Sequence, residues 1–200
     1  MGIIIDEKLN WKEHVSTVSL KVSKNIGVMN RVKFLLPKPI LKLLYYTLVY
    51  PHLIYCVIVW GRASASALRK LICVQKRAVR LITHSTRNQA SSPIFLRQGI
   101  LKLLDISKLQ IILFMFKVHN NLLPLSCASF TPILRIGGGP KTRSAQAGNF
   151  ILPQTHSVVR EQSLAVSGPR LWNAIPQYLK QIPIIEKFKK SYTQLLINSY

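Results

Sequence analysis

Acidic residues are scarce in this chain. It holds 6 Asp and Glu against 28 Lys and Arg, a formal net charge of +22. Only Asp6 and Glu7 adjoin, and Glu13, Asp105, Glu161 and Glu186 are scattered. A two-metal phosphoryl-transfer site draws on several converging carboxylates, and a glycosidase on an opposed pair, so both chemistries are poorly supplied. Cysteine is equally sparse. Cys56, Cys73 and Cys127 are odd in number and far apart, and no Cys-x-x-Cys occurs. His14, His52, His84, His119 and His156 show no ligand spacing around them. A zinc knuckle or disulfide framework is therefore disfavoured, and reduced thiols in an intracellular protein are expected.

Phosphate-binding and nucleophile signatures are missing too. No P-loop, no Gly-x-Gly-x-x-Gly after a strand and no Gly-x-Ser-x-Gly occurs, and Gly137–Gly139 lacks the following Lys-Ser/Thr of a phosphate cradle. No catalytic residue, metal ligand, cofactor or small-molecule substrate is predicted for this chain. The opening residues turn acidic too soon for a secretory signal, and Asp6 stands where a myristoylation motif has Ser or Thr. Leu43 to Trp60 runs without a Lys, Arg, Asp or Glu, which reaches the length of a short membrane span. Pro51-His52 interrupts it, however, and Tyr45, Tyr46, Tyr50 and Tyr55 spread through its interior rather than gathering at two interfaces. A buried helix broken at Pro51 fits better than a bilayer span; a membrane-associated basic helical protein, or an enzyme with an unrecognised site, stays as the alternative.

What is present is a core. With 48% hydrophobic and 17% charged residues, the chain has the apolar content that disordered segments lack. Ile3, Ile4 and Ile5, closed by Asp6, predict a short buried strand. Asn10, with Glu13 three residues on, predicts a capping box. From Trp11 the apolar residues Val15, Val18, Val22, Ile26, Met29 and Val32 recur in steps of three and four, predicting a long helix that ends before Pro37-Lys38-Pro39. Further helices are expected over Ile40–Tyr50, onward from Pro51 to Trp60, over 66–83 with Ser64 or Ser66 as cap, over Leu101–Val118, and over Ile185–Tyr200. His84–Pro93 is polar and reads as a connector. Residues 124–155 show no sustained period and predict a loop or weak strands. Gly168 to Asn173 predicts an aromatic turn, and Pro176 the start of a short helix. The fold class expected is mainly α.

The segment 66–83 carries the clearest functional signal. At about 100° per residue, Arg69, Lys70, Lys76, Arg77 and Arg80 fall within an arc of about 120°, with Leu68, Leu71, Ile72, Val74, Ala78, Val79 and Ile82 opposite. Solvated helix faces usually mix signs, whereas this one has no acid. Such a face suits a polyanion, because each cation that neutralises a phosphate releases condensed counterions. Arg69, Lys70, Lys76, Arg77 and Arg80 are the candidate nucleic-acid contacts, with Lys21, Lys24 and Arg31 on the first long helix as secondary candidates. Contacts of this kind go mainly to backbone and are weakly sequence-selective. Cys73 faces the same arc, but one thiol without a partnered histidine does not mark a nucleophile.

Several stretches in order resemble the reverse transcriptases of non-LTR (LINE, jockey-like) retrotransposons. Gly2-Ile-Ile-Ile-Asp6, then Leu9-Asn-Trp11 and His14, are similar to the strand and "Leu-x-Trp-x-x-His" segment after the palm. Tyr50-Pro51-His52-Leu53, Tyr55-Cys56 and Val59-Trp60-Gly61 resemble the thumb-region block, and Gln75-Lys76-Arg77-Ala78-Val79-Arg80 the helix that follows. Leu101-Leu103-Asp105, Asn120, Leu123-Pro124, Thr142-Arg143 and Ser167-Gly168-Pro169-x-x-Trp172-Asn173-x-x-Pro176 resemble the C-terminal segment. The resemblance implies the tail of a palm hairpin over 1–9, a helical thumb over 10–120, and a C-terminal extension over 121–200. It implies an RNA template with DNA or an RNA–DNA duplex as partner, and a nuclear or cytoplasmic location. The intact enzymes hold two Mg2+ on palm aspartates in an Asp-Asp turn, and no Asp-Asp occurs here. The chain then corresponds to a truncated reading frame, inert as a polymerase by itself and without the family's endonuclease.

Overall fold

The computed structural model describes residues 2–124, 130, 132 and 147–200. Cys127, Gly137–Gly139, Thr142 and Arg143 lie outside them. The described chain is mainly α-helical, as expected, and it divides into two compact units: Met1–Ser107 with Leu196–Tyr200, and Lys108–Leu195. The division falls inside a helix, at a position that no proline or glycine marks.

In the first unit, α1 spans Lys12–Val32 and buries Val15, Val18, Val22, Ile26 and Met29, the stripe its periodicity dictates. Ser19 shares this buried face and returns its hydroxyl to the Val15 carbonyl at 2.7 Å, so that hydroxyl is not stranded. The start of α1 differs from the expected capping box. The Asp6 carboxylate accepts the Asn10 and Trp11 N–H groups, both at 2.9 Å. Trp11, in a left-handed conformation at φ 62°, precedes the helix. Asn10 accepts only the Lys12 N–H, at 3.1 Å. Asp6 takes the Asn10 N–H that the capping box assigned to Glu13.

The predicted strand does not form among the described residues: 2–6 carries no regular secondary structure, and Ile5 is 70% exposed. An apolar run supplies a strand's side chains, but a strand also needs a neighbour to take its backbone hydrogen bonds. Ile4 finds a side-chain partner instead, donating its N–H to His14 Nδ1 at 3.3 Å. That bond makes Nε2 the protonated nitrogen of a neutral His14. Nε2 has no hydrogen-bond acceptor, while the imidazole meets the buried Trp60 edge-on at 5.5 Å.

Helices α2 (Lys38–Leu44) and α3 (Tyr50–Ile54) are joined without a break by one wide π-helical turn, Tyr45–Val49. The sequence predicts an interruption at Pro51, and this is its form. Proline has no N–H to give to the preceding turn, and the turn widens so that Tyr50 N–H reaches back to the Tyr45 carbonyl. The Asn25 amide donates to the Leu48 carbonyl at 2.5 Å, tying this turn to α1. Short α4 (Val57–Trp60) ends at Gly61, where an added Cβ would lie 2.5 Å from the Val57 carbonyl oxygen. Glycine is therefore required there. Among the described residues, no helix is long and apolar enough to cross a membrane.

Helix α5 spans Ala65–Thr83, capped by Ser64 Oγ, which accepts the Ala67 N–H. The shorter α6 (Ser92–Gln98) and the start of α7 (Leu103–His119) complete the unit. Tyr200 returns to it, its hydroxyl accepting the Lys102 N–H at 2.8 Å.

The second unit contains the rest of α7, α8 (Val158–Gln162), α9 (Leu164–Asn173), α10 (Gln177–Lys180) and most of α11 (Ile185–Asn198). The expected aromatic turn at Gly168–Asn173 is helical, with Gly168 and Pro169 inside α9. Its residues have structural work. A Cβ on Gly168 would stand 2.7 Å from Met115 Sδ. Trp172 is fully buried, its indole N–H on the Gly148 carbonyl at 3.0 Å and its ring near Phe188, Phe150 and His119. The Asn173 amide accepts the Phe150 N–H at 2.9 Å and donates to the Phe150 carbonyl at 2.8 Å, pairing with that residue as a neighbouring strand would.

Three histidines are held below their ordinary pKa. Burial lowers His14, His52 and His119, with Lys21 adding repulsion at the first two and Lys180 at the third. The unfolded chain binds protons at these positions near pH 6.5, where the native chain does not. Stability is therefore complete above about pH 6.5 and falls as the pH drops through it. A lower urea midpoint at pH 5.5 than at pH 7.5 is expected. His119→Phe, which keeps a ring against Trp172, should reduce the difference; equal midpoints in the native protein would contradict it.

Candidate nucleic-acid interface

The rotational setting of α5 decides which side chains face outward. Leu68, Leu71, Ala78, Val79 and Ile82 are buried, and Gln75 is buried among them. Its amide makes three bonds: Nε2 donates to Tyr45 Oη at 3.0 Å and to the Leu101 carbonyl at 2.9 Å, and Oε1 accepts the Leu103 N–H at 2.8 Å. Tyr45 itself is fully buried, and desolvation pushes its pKa well above the ordinary phenol value. One side chain thus pins α5 to the π turn and to the residues that open α7. Turning α5 about its axis would break all three bonds and leave buried polar groups unpaired.

With the core side fixed, Arg69, Lys70 and Arg77 are exposed, and Lys76 and Arg80 are half-buried. Helices α1 and α5 lie side by side and run in the same sense. Lys12, Ser16 and Ser19 of α1 border one shallow depression with Ser66 and Lys70. The C-terminal ends, with the segments that follow them, enclose an open groove of about 880 Å3. Six cations line it: Lys33, Lys70, Lys76, Arg77, Arg80 and Arg87, and no carboxylate does. Among the described residues, Glu161 makes its ion pair with Arg170, in the other unit. Lys76 and Arg80 stand four residues apart and Arg77 and Arg80 three, like-charge spacings that each weaken a helix by about 0.2–0.5 kcal/mol. Helix stability does not explain such an arrangement.

Several groove residues escape a reading of α5 alone. Lys33 and Phe34 come from the turn after α1, and His84, Ser85 and Arg87 from the polar connector. That connector also orients Arg80, whose Nε and Nη2 donate to the Gln89 carbonyl at 3.2 and 2.9 Å. The remaining guanidinium donors are left for other acceptors. His84 closes α5 in a left-handed conformation at φ 56°, an unusual position for a residue with a Cβ. Its ring stacks on Phe34 at 6.0 Å and 25°, and Lys33 Nζ lies 4.6 Å from the Phe34 centroid. Cys73 lies at the middle of the cationic arc and lines the groove.

The predicted contacts are only partly brought together. Lys70, Lys76, Arg77 and Arg80 line the groove, while Arg69 is exposed on the same helix but outside it. Lys21, Lys24 and Arg31 are exposed on α1, and none of them lines the groove. The two oxygens of Asp6 serve backbone N–H groups. Among the described residues, no group of three His, Cys, Asp or Glu is placed to hold a metal ion. Those residues do not bring together the carboxylates that a two-metal site draws on. No protein-family model matches the chain, and no curated protein or solved structure is detectably similar to it.

Gln75→Leu keeps volume but removes every bond of the knot. With about 1–3 kcal/mol for a buried group left unsatisfied, a loss of roughly 3 kcal/mol in unfolding free energy is expected from urea titration. A change below about 0.5 kcal/mol, the level of surface substitutions, would show that the knot does not hold α5.

Proposed function

We propose that the chain binds nucleic acid along the α5 groove, with phosphates against Lys70, Lys76, Arg77 and Arg80 and support from Lys33 and Arg87. The observation that carries this reading is the convergence of six cations from three segments on one groove without a carboxylate. Such a surface gains more from phosphates than from isolated acids, because counterion release grows with the number of charges neutralised. Backbone contacts of this type position a strand without reading its bases.

The sequence resemblance supports a narrower version. As the thumb-like portion of a non-LTR retrotransposon reverse transcriptase, the chain would hold an RNA template paired with the growing DNA strand in the nucleus or cytoplasm. Its acids are too few and too dispersed for polymerase chemistry, so its role is to grip and position.

An RNA–DNA duplex titrated by fluorescence anisotropy tests the reading. With about six phosphates neutralised, affinity should fall roughly 10³-fold between about 50 and 200 mM salt. Combined Lys70→Glu, Lys76→Glu and Arg77→Glu should abolish binding at the higher salt. Combined Lys21→Glu, Lys24→Glu and Arg31→Glu reverses the same number of charges outside the groove, and should weaken binding far less. Equal losses would mean that net charge alone, and not the groove, attracts the nucleic acid.

A further inference from the structure

The groove ends on a pair of rings that electrostatics does not require. Phe34 is 81% exposed and the neighbouring Leu35 80%, so neither contributes to the core. His84, also exposed, stacks on Phe34 from the opposite lip. The sequence holds the histidine there at a positive φ, where glycine or asparagine is the ordinary choice. Strained backbone of this kind clusters at binding sites. Cations surround the rings: Lys33 beside Phe34, with Arg80 and Arg87 lining the same groove.

Aromatic rings beside a basic groove are the combination that holds single strands, because every base has a π face and the phosphates need only positive charge. A paired base inside a duplex has both faces covered by its neighbours. Only an unpaired base, or one at a duplex end, offers a face to Phe34 and His84. We propose that this groove takes a single strand as it leaves a duplex, with an unpaired base stacked on the Phe34–His84 pair and its flanking phosphates on Lys33, Arg80 and Arg87. The substrate class is thus a duplex with a single-stranded overhang. This rests on the nucleic-acid reading of the groove and goes beyond it in requiring an unpaired base.

The full chain, titrated with labelled RNA–DNA duplexes that are either blunt or carry a short overhang, tests the proposal. A preference of about tenfold for the overhang is expected, the scale of one base–aromatic stack. Phe34→Ala removes a ring that is already in solvent, and His84→Gly removes the other while suiting the left-handed turn, so both variants should fold. Each should erase the preference while keeping the blunt-duplex affinity. A fluorescent base analogue in the overhang should be quenched by the native protein and not by Phe34→Ala. Equal binding of blunt and overhanging duplexes, or variants that keep the preference, overturns the stacking proposal and leaves the cationic groove standing. Failure to bind either duplex overturns both. Displacement by polyglutamate as effective as by the overhang would assign the groove to acidic protein instead.

Discussion

The three hydrogen bonds of Gln75 are the constraint on which the first unit depends. A glutamine amide in a hydrophobic setting costs more than a leucine unless its polar atoms are paired. Here both donors and the acceptor are used. The bonds reach Tyr45 in the π turn and both Leu101 and Leu103 around the start of α7, so three parts of the chain share one reference point. Apolar packing alone would accept α5 in several neighbouring rotations, because leucine and isoleucine contacts are not directional. The amide bonds are directional, and they leave one. The cationic side of α5 is exposed as a consequence of what its opposite side must satisfy.

Much of this was legible in the sequence, and the reasons are local. Helices α1 and α5 follow from apolar steps of three and four, and the arc of Arg69, Lys70, Lys76, Arg77 and Arg80 follows from helical geometry. Gln75 was not singled out, although it falls at the middle of the apolar arc, where a polar residue signals a buried bond. The groove was not legible. Lys33, Phe34, His84 and Arg87 sit in connectors without any period, and they meet α5 only because α1 runs beside it in the same sense. The isoleucines at 3–5 illustrate the opposite error. Their composition is that of a strand, but strand formation depends on a partner elsewhere in the chain.

In the second unit the block around Trp172 has a physical account independent of any family likeness. Gly168 lets α9 approach Met115, Trp172 fills the space between Phe188 and His119, and Asn173 mimics a strand partner for Phe150. Lys180 extends this cluster, bonding Asn149 and standing 5.9 Å from the Trp172 ring centroid. Its partial burial lowers its own pKa. Glycine, tryptophan and asparagine at these positions are core requirements, and neither a catalytic nor a recognition role is needed to explain them.

The wide turn at Tyr45–Val49 also fixes a count. Leu41, Tyr45, Val49, Leu53 and Val57 are all buried at intervals of four, a spacing that drifts steadily around an ordinary α-helix. The broader winding slows that drift where Tyr45 must meet Gln75. Loss of a single residue between them would tighten the coil and swing everything downstream by about 100°, carrying Leu53 toward water. This stretch should therefore accept exchanges of side chain far more readily than any change in its length.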